Sequence, residues 1–238
     1  MAQLKNATIR VLSGGRLAEL TPEHIALGLT TYIVLLFSLS FHEAAHAWAA
    51  LRMGDDTALR EGRISLNPIV HIDPIGTVLL PLMMFLSSGT PLFGWAKPTP
   101  YNPANFRRDR SLAMGHVTVA SAGPLSNLIL AAIFTAVLFA AVRLGLIHSE
   151  REPALILLAA GVQINVVLAI FNLVPLPPLD GSKVASFGLP PSLGHAYDRI
   201  MVPYGAWILL ILFATGALGA VLSPITRLLT TLLFKMAL

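Results

Sequence analysis

Apolar residues in this chain run in long blocks rather than alternating with polar ones. Four windows contain no Asp, Glu, Lys or Arg: Pro74 to Ala96 (23 residues), Ser111 to Val142 (32), Ala154 to Leu179 (26) and Ile200 to Thr226 (27). A bilayer-spanning helix needs about 20 apolar residues at about 1.5 Å rise per residue, so each window is long enough to cross. A fifth window, Ile25 to Phe41, holds 17 residues and reaches spanning length only by continuing through His42, Glu43 and His46 to Leu51. The first span is complete only if it carries ionisable groups into the membrane, where such groups are costly and by default functional.

Local signals set the element boundaries. Thr21-Pro22-Glu23 reads as a helix start, with Thr as N-cap, Pro at the first helical position and an acid in the first turn. The first helix then runs to about Met53, where Gly54 supplies a stop. A polar connection from Asp55 to Asp73 leads to a second helix over about Pro74 to Phe85. Between Ser88 and Asn105, Pro91, Pro98, Pro100 and Pro103 exclude a regular helix and predict a re-entrant or extended loop near residues 90–104. Irregular backbone at membrane depth is tolerated only against protein or a water-filled cavity.

Gly123-Pro124 predicts a kink or break in the third span, and Pro175, Pro177 and Pro178 predict that the fourth ends or unwinds near Val174. Asp180 to Arg199 reads as a polar loop and Ile200 to Leu222 as a further span. Leu228 to Leu238 reads as a second part of the last helix or an interfacial piece. The expected architecture is an all-α polytopic membrane protein of five to six transmembrane helical segments. Residues 1–22 form a polar, interfacial N-terminal segment and residues 23–238 a single membrane domain.

Composition agrees with the pattern: 55% of the 238 residues are hydrophobic and 12% charged, against about 25% charged in an ordinary soluble domain. The net charge of +4 is spread over every connecting loop with no basic run interleaved with aromatics, which argues for anionic lipid headgroups and against nucleic acid. Without cysteine, any metal must take nitrogen and oxygen ligands. Ala47-Trp48-Ala49 resembles a signal-peptide cleavage pattern, but the preceding apolar stretch is too long and two His and a Glu interrupt the approach to it. A retained transmembrane helix is the better reading. Lys and Arg are too evenly shared between the two sets of loops to set the orientation.

The clearest chemical motif is His42-Glu43-Ala44-Ala45-His46. Residues four apart share one helix face, so both imidazoles can converge on one metal ion with the Glu placed to take a proton from water. The bland alternative is a pair of surface histidines at a helix end, which placement inside a span argues against. Tetrahedral zinc needs one more protein ligand besides water. Among the downstream carboxylates Asp180 stands out, because it ends the broken apolar stretch Asn172-Leu-Val-Pro-Leu-Pro-Pro-Leu-Asp180-Gly181. Zn²⁺ with two neutral His, one carboxylate and one hydroxide also sums to zero charge, the least costly cluster to hold in low dielectric.

On these residues the chain resembles the site-2 protease family of intramembrane zinc metalloproteases. The motifs are His42-Glu43-x-x-His46, Asn172-x-x-Pro175 through Leu179-Asp180-Gly181, and Ser121-Ala-Gly-Pro-Leu-Ser-Asn127 between them. Gly62-Arg-Ile-Ser-Leu-Asn-Pro68, His71-Ile-Asp-Pro74 and Gly94-Trp-Ala-Lys-Pro98 make it similar to the compact branch without a PDZ domain. The match covers about residues 30–190, and Ser182 departs from it where many members have a second Gly.

The resemblance implies that His42, His46 and Asp180 bind one Zn²⁺ per chain and that Glu43 is the general base. It further implies an endopeptidase acting on a single-span or membrane-anchored protein within the bilayer, in the plasma membrane of a prokaryote. Asn172 and Asn127 are candidates for hydrogen bonds to the substrate backbone or to the oxyanion, against the alternative of polar glue between helices. The segment from Gly94 and Trp95 to Pro100 is a candidate edge for strand addition by an unwound substrate, against that of an interfacial loop. His24, His116, His148 and His195 read as packed or interfacial, and His71 with Asp73 as a structural corner. Competing readings are a membrane zinc protease with Glu as third ligand, for which Glu61, Glu150 and Glu152 stand in no long helix, a catalytically silent relative, and a metal transporter. A transporter would show paired broken helices, and only one marked break is present. The sequence leaves oligomeric state open.

Overall fold

The computed structural model describes residues 21–88, 94–149 and 152–237. Residues 1–20 of the expected interfacial segment, and residues 90–93 of the expected loop, lie outside the described residues. Eight α-helices and no strand occur among the described residues, and five of the helices are long and apolar enough to cross a membrane: α1 (Pro22–Met53), α4 (Leu112–Arg143), α5 (Pro153–Asn172), α7 (Pro191–Ala214) and α8 (Ala217–Ala237). The shorter ones are α2 (Thr57–Arg60), α3 (Leu80–Ser88) and α6 (Asp180–Gly188).

α1 begins and ends as its caps predict. Thr21 Oγ1 accepts from His24 N–H at 3.3 Å, and Gly54 closes the helix at φ 106°. A side chain there would be strained and would also meet Arg107. The predicted second helix is a π-helical turn over Pro74–Leu79 continuing into α3, too short to span. Asp73 caps it, accepting from Ile75 N–H and Gly76 N–H, and His71 Nε2 donates to the Ser65 carbonyl at 2.8 Å. That pair is the structural corner expected.

Three boundaries differ from expectation. Pro124 does not break α4: it is buried inside the continuous helix. Packed neighbouring helices tolerate a missing N–H inside a bundle, and α4 packs against four other helices. Asp180 to Arg199 is no loop but α6 and the first turns of α7. The predicted span Ile200 to Leu222 crosses a real stop at Thr215 and Gly216, where Gly216 adopts φ 73°. The helix beyond it, α8, is itself of spanning length and contains Pro224.

α4 is central, packing against α1, α5, α6 and α8, while α7 touches chiefly α6 and α8. Lipid tails are as apolar as core side chains, so close packing rather than hydrophobic transfer holds such helices together. One core layer joins Val34, Leu35 and Leu39 of α1 to Ala160, Ile164 and Leu168 of α5, with Ala96 of the extended segment between them. A second joins Leu138, Leu158, Val162 and Phe234. Gly161 lets Phe134 of α4 lie flat against α5, since a Cβ there would fall 2.4 Å from the ring.

Candidate metal centre

α1 presents His42 and His46 one turn apart, with 4% and 7% of their surface exposed. Each ring is fixed through Nδ1. His46 Nδ1 lies 2.7 Å from the Val119 carbonyl of α4, which can only accept, so this nitrogen carries the proton. His42 Nδ1 lies 2.6 Å from Asn127 Oδ1, and a chain of amides assigns that bond as well. The Gly161 carbonyl accepts from Asn165 Nδ2 at 2.8 Å. Asn165 Oδ1 is thereby turned to accept from Asn127 Nδ2 at 2.8 Å, which leaves Asn127 Oδ1 facing the imidazole.

With Nδ1 of each ring turned to its helix partner, the Nε2 atoms are the ones that face the site, and these converge. The two Nε2 atoms are 3.0 Å apart, and each lies 3.1 Å from Asp180 Oδ2 at the start of α6. With both rings neutral these are three acceptors at contact distance, an arrangement that a cation among them would stabilise. The sides of this triangle approach the roughly 3.3 Å expected between ligands of tetrahedral zinc at bond lengths of about 2.0–2.1 Å. His42, His46 and Asp180 are the group of side chains among the described residues that could hold a metal ion.

Two glycines make this approach possible. At Gly123 of α4 a Cβ would fall 2.4 Å from His46 Nε2 and 2.5 Å from His42 Nε2, so only a bare Cα leaves the rings their place. At Gly181 a Cβ would fall 2.3 Å from the Leu173 carbonyl, so the glycine lets the first turn of α6 seat Asp180 against the end of α5.

Glu43 is 8% exposed. Its Oε2 accepts from Thr99 N–H at 2.8 Å, and its main-chain carbonyl accepts from Thr99 Oγ1 at 3.0 Å. Thr99 ends an extended run whose Trp95 N–H donates to the Gly76 carbonyl and whose Lys97 N–H donates to the His71 carbonyl. Thr77 Oγ1 donates to the Trp95 carbonyl, and the Trp95 ring covers Gly76. Gly94 is buried, while Trp95 is exposed.

The two candidate asparagines part company. Asn127 is fully buried and committed to His42, Asn165 and the Ser38 carbonyl, so it faces the imidazole and not open space. Asn172 is half-buried at the end of α5, and its Nδ2 donates to the Leu168 carbonyl of its own helix. His116 stacks on Phe187 at 3.9 Å and meets the Tyr101 hydroxyl, a packed position as expected. Sequence reasoning missed Thr99, Gly123 and Asn165. Each had left a trace without its role: Gly123 beside Pro124 as a kink, Thr99 within the candidate edge, and Asn165 as a polar amide in the middle of an apolar span.

Comparison with known proteins fits this geometry. The chain is 41% identical over 202 residues to "Putative zinc metalloprotease YwhC" of Bacillus subtilis, covering 83% of this chain and 87% of that protein. Proteins named "Putative zinc metalloprotease Rip2" also match. That of Mycolicibacterium smegmatis is 29% identical over 77% of this chain and 66% of its own length. That of Mycobacterium tuberculosis strain H37Rv is 30% identical over 87% and 77%. No family model and no solved structure matches. A paired-histidine centre inside an apolar bundle, with identity this high over most of both chains, places the chain in the site-2 protease family as a membrane-embedded zinc metalloprotease.

Proposed function

We propose that the protein is an intramembrane zinc endopeptidase that cuts a peptide bond within or near a transmembrane segment of a single-span or membrane-anchored protein, in the plasma membrane of a prokaryote. The observation that carries this reading is the triangle of His42 Nε2, His46 Nε2 and Asp180 Oδ2, whose lone pairs are aimed at one point beside a spanning helix. These three side chains hold one Zn²⁺. When bound, the ion polarises the scissile carbonyl and makes water acidic enough to attack near neutral pH.

The chain's own groups do the rest. Glu43 takes the proton from the attacking water and delivers it to the leaving amine as the carbon–nitrogen bond breaks. Thr99 holds Oε2 of that carboxylate, which leaves Oε1 for the water. An amide nitrogen carries two protons, and the Leu168 bond uses one at Asn172, so the other is available to the developing oxyanion.

A substrate helix must unwind before its peptide bonds can be reached, and its freed polar groups then need partners. The segment from Gly94 to Pro100 supports strand addition. Trp95 and Lys97 are bonded on one side, and by the alternation of an extended chain the amide and carbonyl of Ala96 face the other.

Glu43→Gln is the decisive variant. It is expected to retain one zinc per chain and to lose cleavage, so that comparing membrane proteomes of wild-type and variant cells reveals a single-span protein accumulating uncut. Wild-type turnover by the variant would refute the mechanism. Zinc binding with no cleavage of single-span proteins by the wild type would favour a silent, metal-binding relative.

A further inference from the structure

Arg63 is 3% exposed, and among the described residues its guanidinium donates only to carbonyls: Val70 through Nη1, and Lys97 and Pro98 through Nη2, the last at 2.9 Å. Among the described residues no carboxylate lies within ion-pair distance of it. A buried cation without a contacting anion is costly, and removing such a charge from water needs compensation from nearby. The compensation lies one peptide group away. The Pro98 carbonyl that accepts from Arg63 and the Thr99 N–H that donates to Glu43 Oε2 belong to the same planar peptide unit. A cation on the oxygen and an anion on the N–H polarise that unit in the same sense, and each bond strengthens the other.

We propose that Arg63 is a positioning residue for Glu43, acting through the Pro98–Thr99 peptide group. No proton travels along this path. Arg63 anchors the carbonyl end of the peptide, so the N–H end stays aimed at Oε2 and the carboxylate keeps one orientation. The fixed points are well spread: Val70 lies in the 3₁₀ turn over Pro68–His71, Lys97 and Pro98 in the extended segment, and Glu43 on α1. The inference rests on the reading of Glu43 as general base. It goes beyond that reading by giving a task to the arginine of the Gly62-Arg63 turn, which touches neither candidate ligands nor substrate edge side chains.

The test uses the full-length protein in detergent, labelled with ¹⁵N-threonine, with the Thr99 amide assigned by Thr99→Ser. In Arg63→Gln, as in Glu43→Gln, the Thr99 amide proton is expected to move upfield, because the bond to the carboxylate loosens or is lost. Cleavage of a single-span fusion protein that the wild type cuts is expected to lose about tenfold or more in kcat at unchanged KM and zinc content, the scale set by a misdirected base. Arg63→Lys keeps the charge but not the planar fork, and is expected to fall between the two in both readouts. Should the Gln variant not fold, the Lys variant must still lie below wild type in both.

A Thr99 proton unmoved in the Arg63 variants overturns the proposal. So does a rise in KM alone, which would confine Arg63 to the substrate edge, and so does loss of zinc in step with activity, which would make its role structural. If Glu43→Gln cleaves at the wild-type rate, it is the assignment of the base that fails, whatever Thr99 does.

Discussion

Asn127 Oδ1 stands 2.6 Å from Nδ1 of His42, and the direction of donation between them is dictated by a main-chain carbonyl two amides away, at Gly161. The imidazole has no freedom to present its other nitrogen to the centre of the site. Replacing Asn127 with Leu would leave a buried Nδ1–H without a partner and free the ring to turn. On the proposed metal assignment, zinc affinity should fall by about 10–100-fold, the usual cost of losing such support. Competition against a chelator of known affinity measures it, and Asn165→Leu should show a smaller loss of the same kind.

Gly123→Ala puts a methyl group where both imidazoles now lie. The rings cannot retreat without breaking their bonds to Asn127 and to Val119. The purified variant should contain well under one equivalent of zinc while its helical content, read by circular dichroism, remains. Full zinc occupancy in this variant would show that the two rings do not share the ion.

Ala96→Pro removes an N–H that makes no hydrogen bond within the fold among the described residues. If substrate adds along that edge, KM should rise severalfold while zinc content stays unchanged. An unchanged KM would move substrate binding elsewhere.

Acid should destabilise the loop face in two stages. Burial, more than any other influence, holds the pKa of His71 below its ordinary value of 6.5, with the Arg63 charge adding to it. The folded state then resists taking up a proton that the unfolded chain accepts, so this contribution is complete above about pH 6.5 and is lost as pH falls below it. Burial opposes ionisation of Asp55, but donors on Thr57, Asn105 and Asn102 outweigh it and lower its pKa from 3.8. That contribution is present above about pH 3.8 and lost below. Thermal midpoints followed from pH 7.5 to 3 should lose the first stage in His71→Gln and the second in Asp55→Asn. The Asp55 variant should also cost about 1–3 kcal/mol at neutral pH for its misdirected donors.

The chemistry was more legible in the sequence than the framework around it. His42, Glu43 and His46 announced themselves because charge inside an apolar run is expensive, and Asp180 because three prolines force the backbone open just before it. Three spans, α1, α4 and α5, were legible by length, whereas the Pro74 to Ala96 window was long enough but holds only the short α3, and α7 and α8 read as one span with an apolar piece after it. The stop at Gly216 was not legible, since α7 and α8 are apolar on both sides of it and no charge marks the turn. The unbroken course of α4 through Pro124, the approach of Gly123 to the rings and the hold of Thr99 on Glu43 all depend on which helix lies opposite. Windows along one chain carry no such information.

Asp180 is separated from His42 by 138 residues and from His46 by 134. The ribosome therefore delivers both histidines and Glu43 in the first span, long before the carboxylate that completes the triangle. Until α5 has entered the bilayer and α6 has folded back onto α4, the nascent protein holds an open pair of imidazoles. On the proposed metal assignment, the nascent chain has no complete centre, and so no proteolytic activity, until Asp180 has been made and placed.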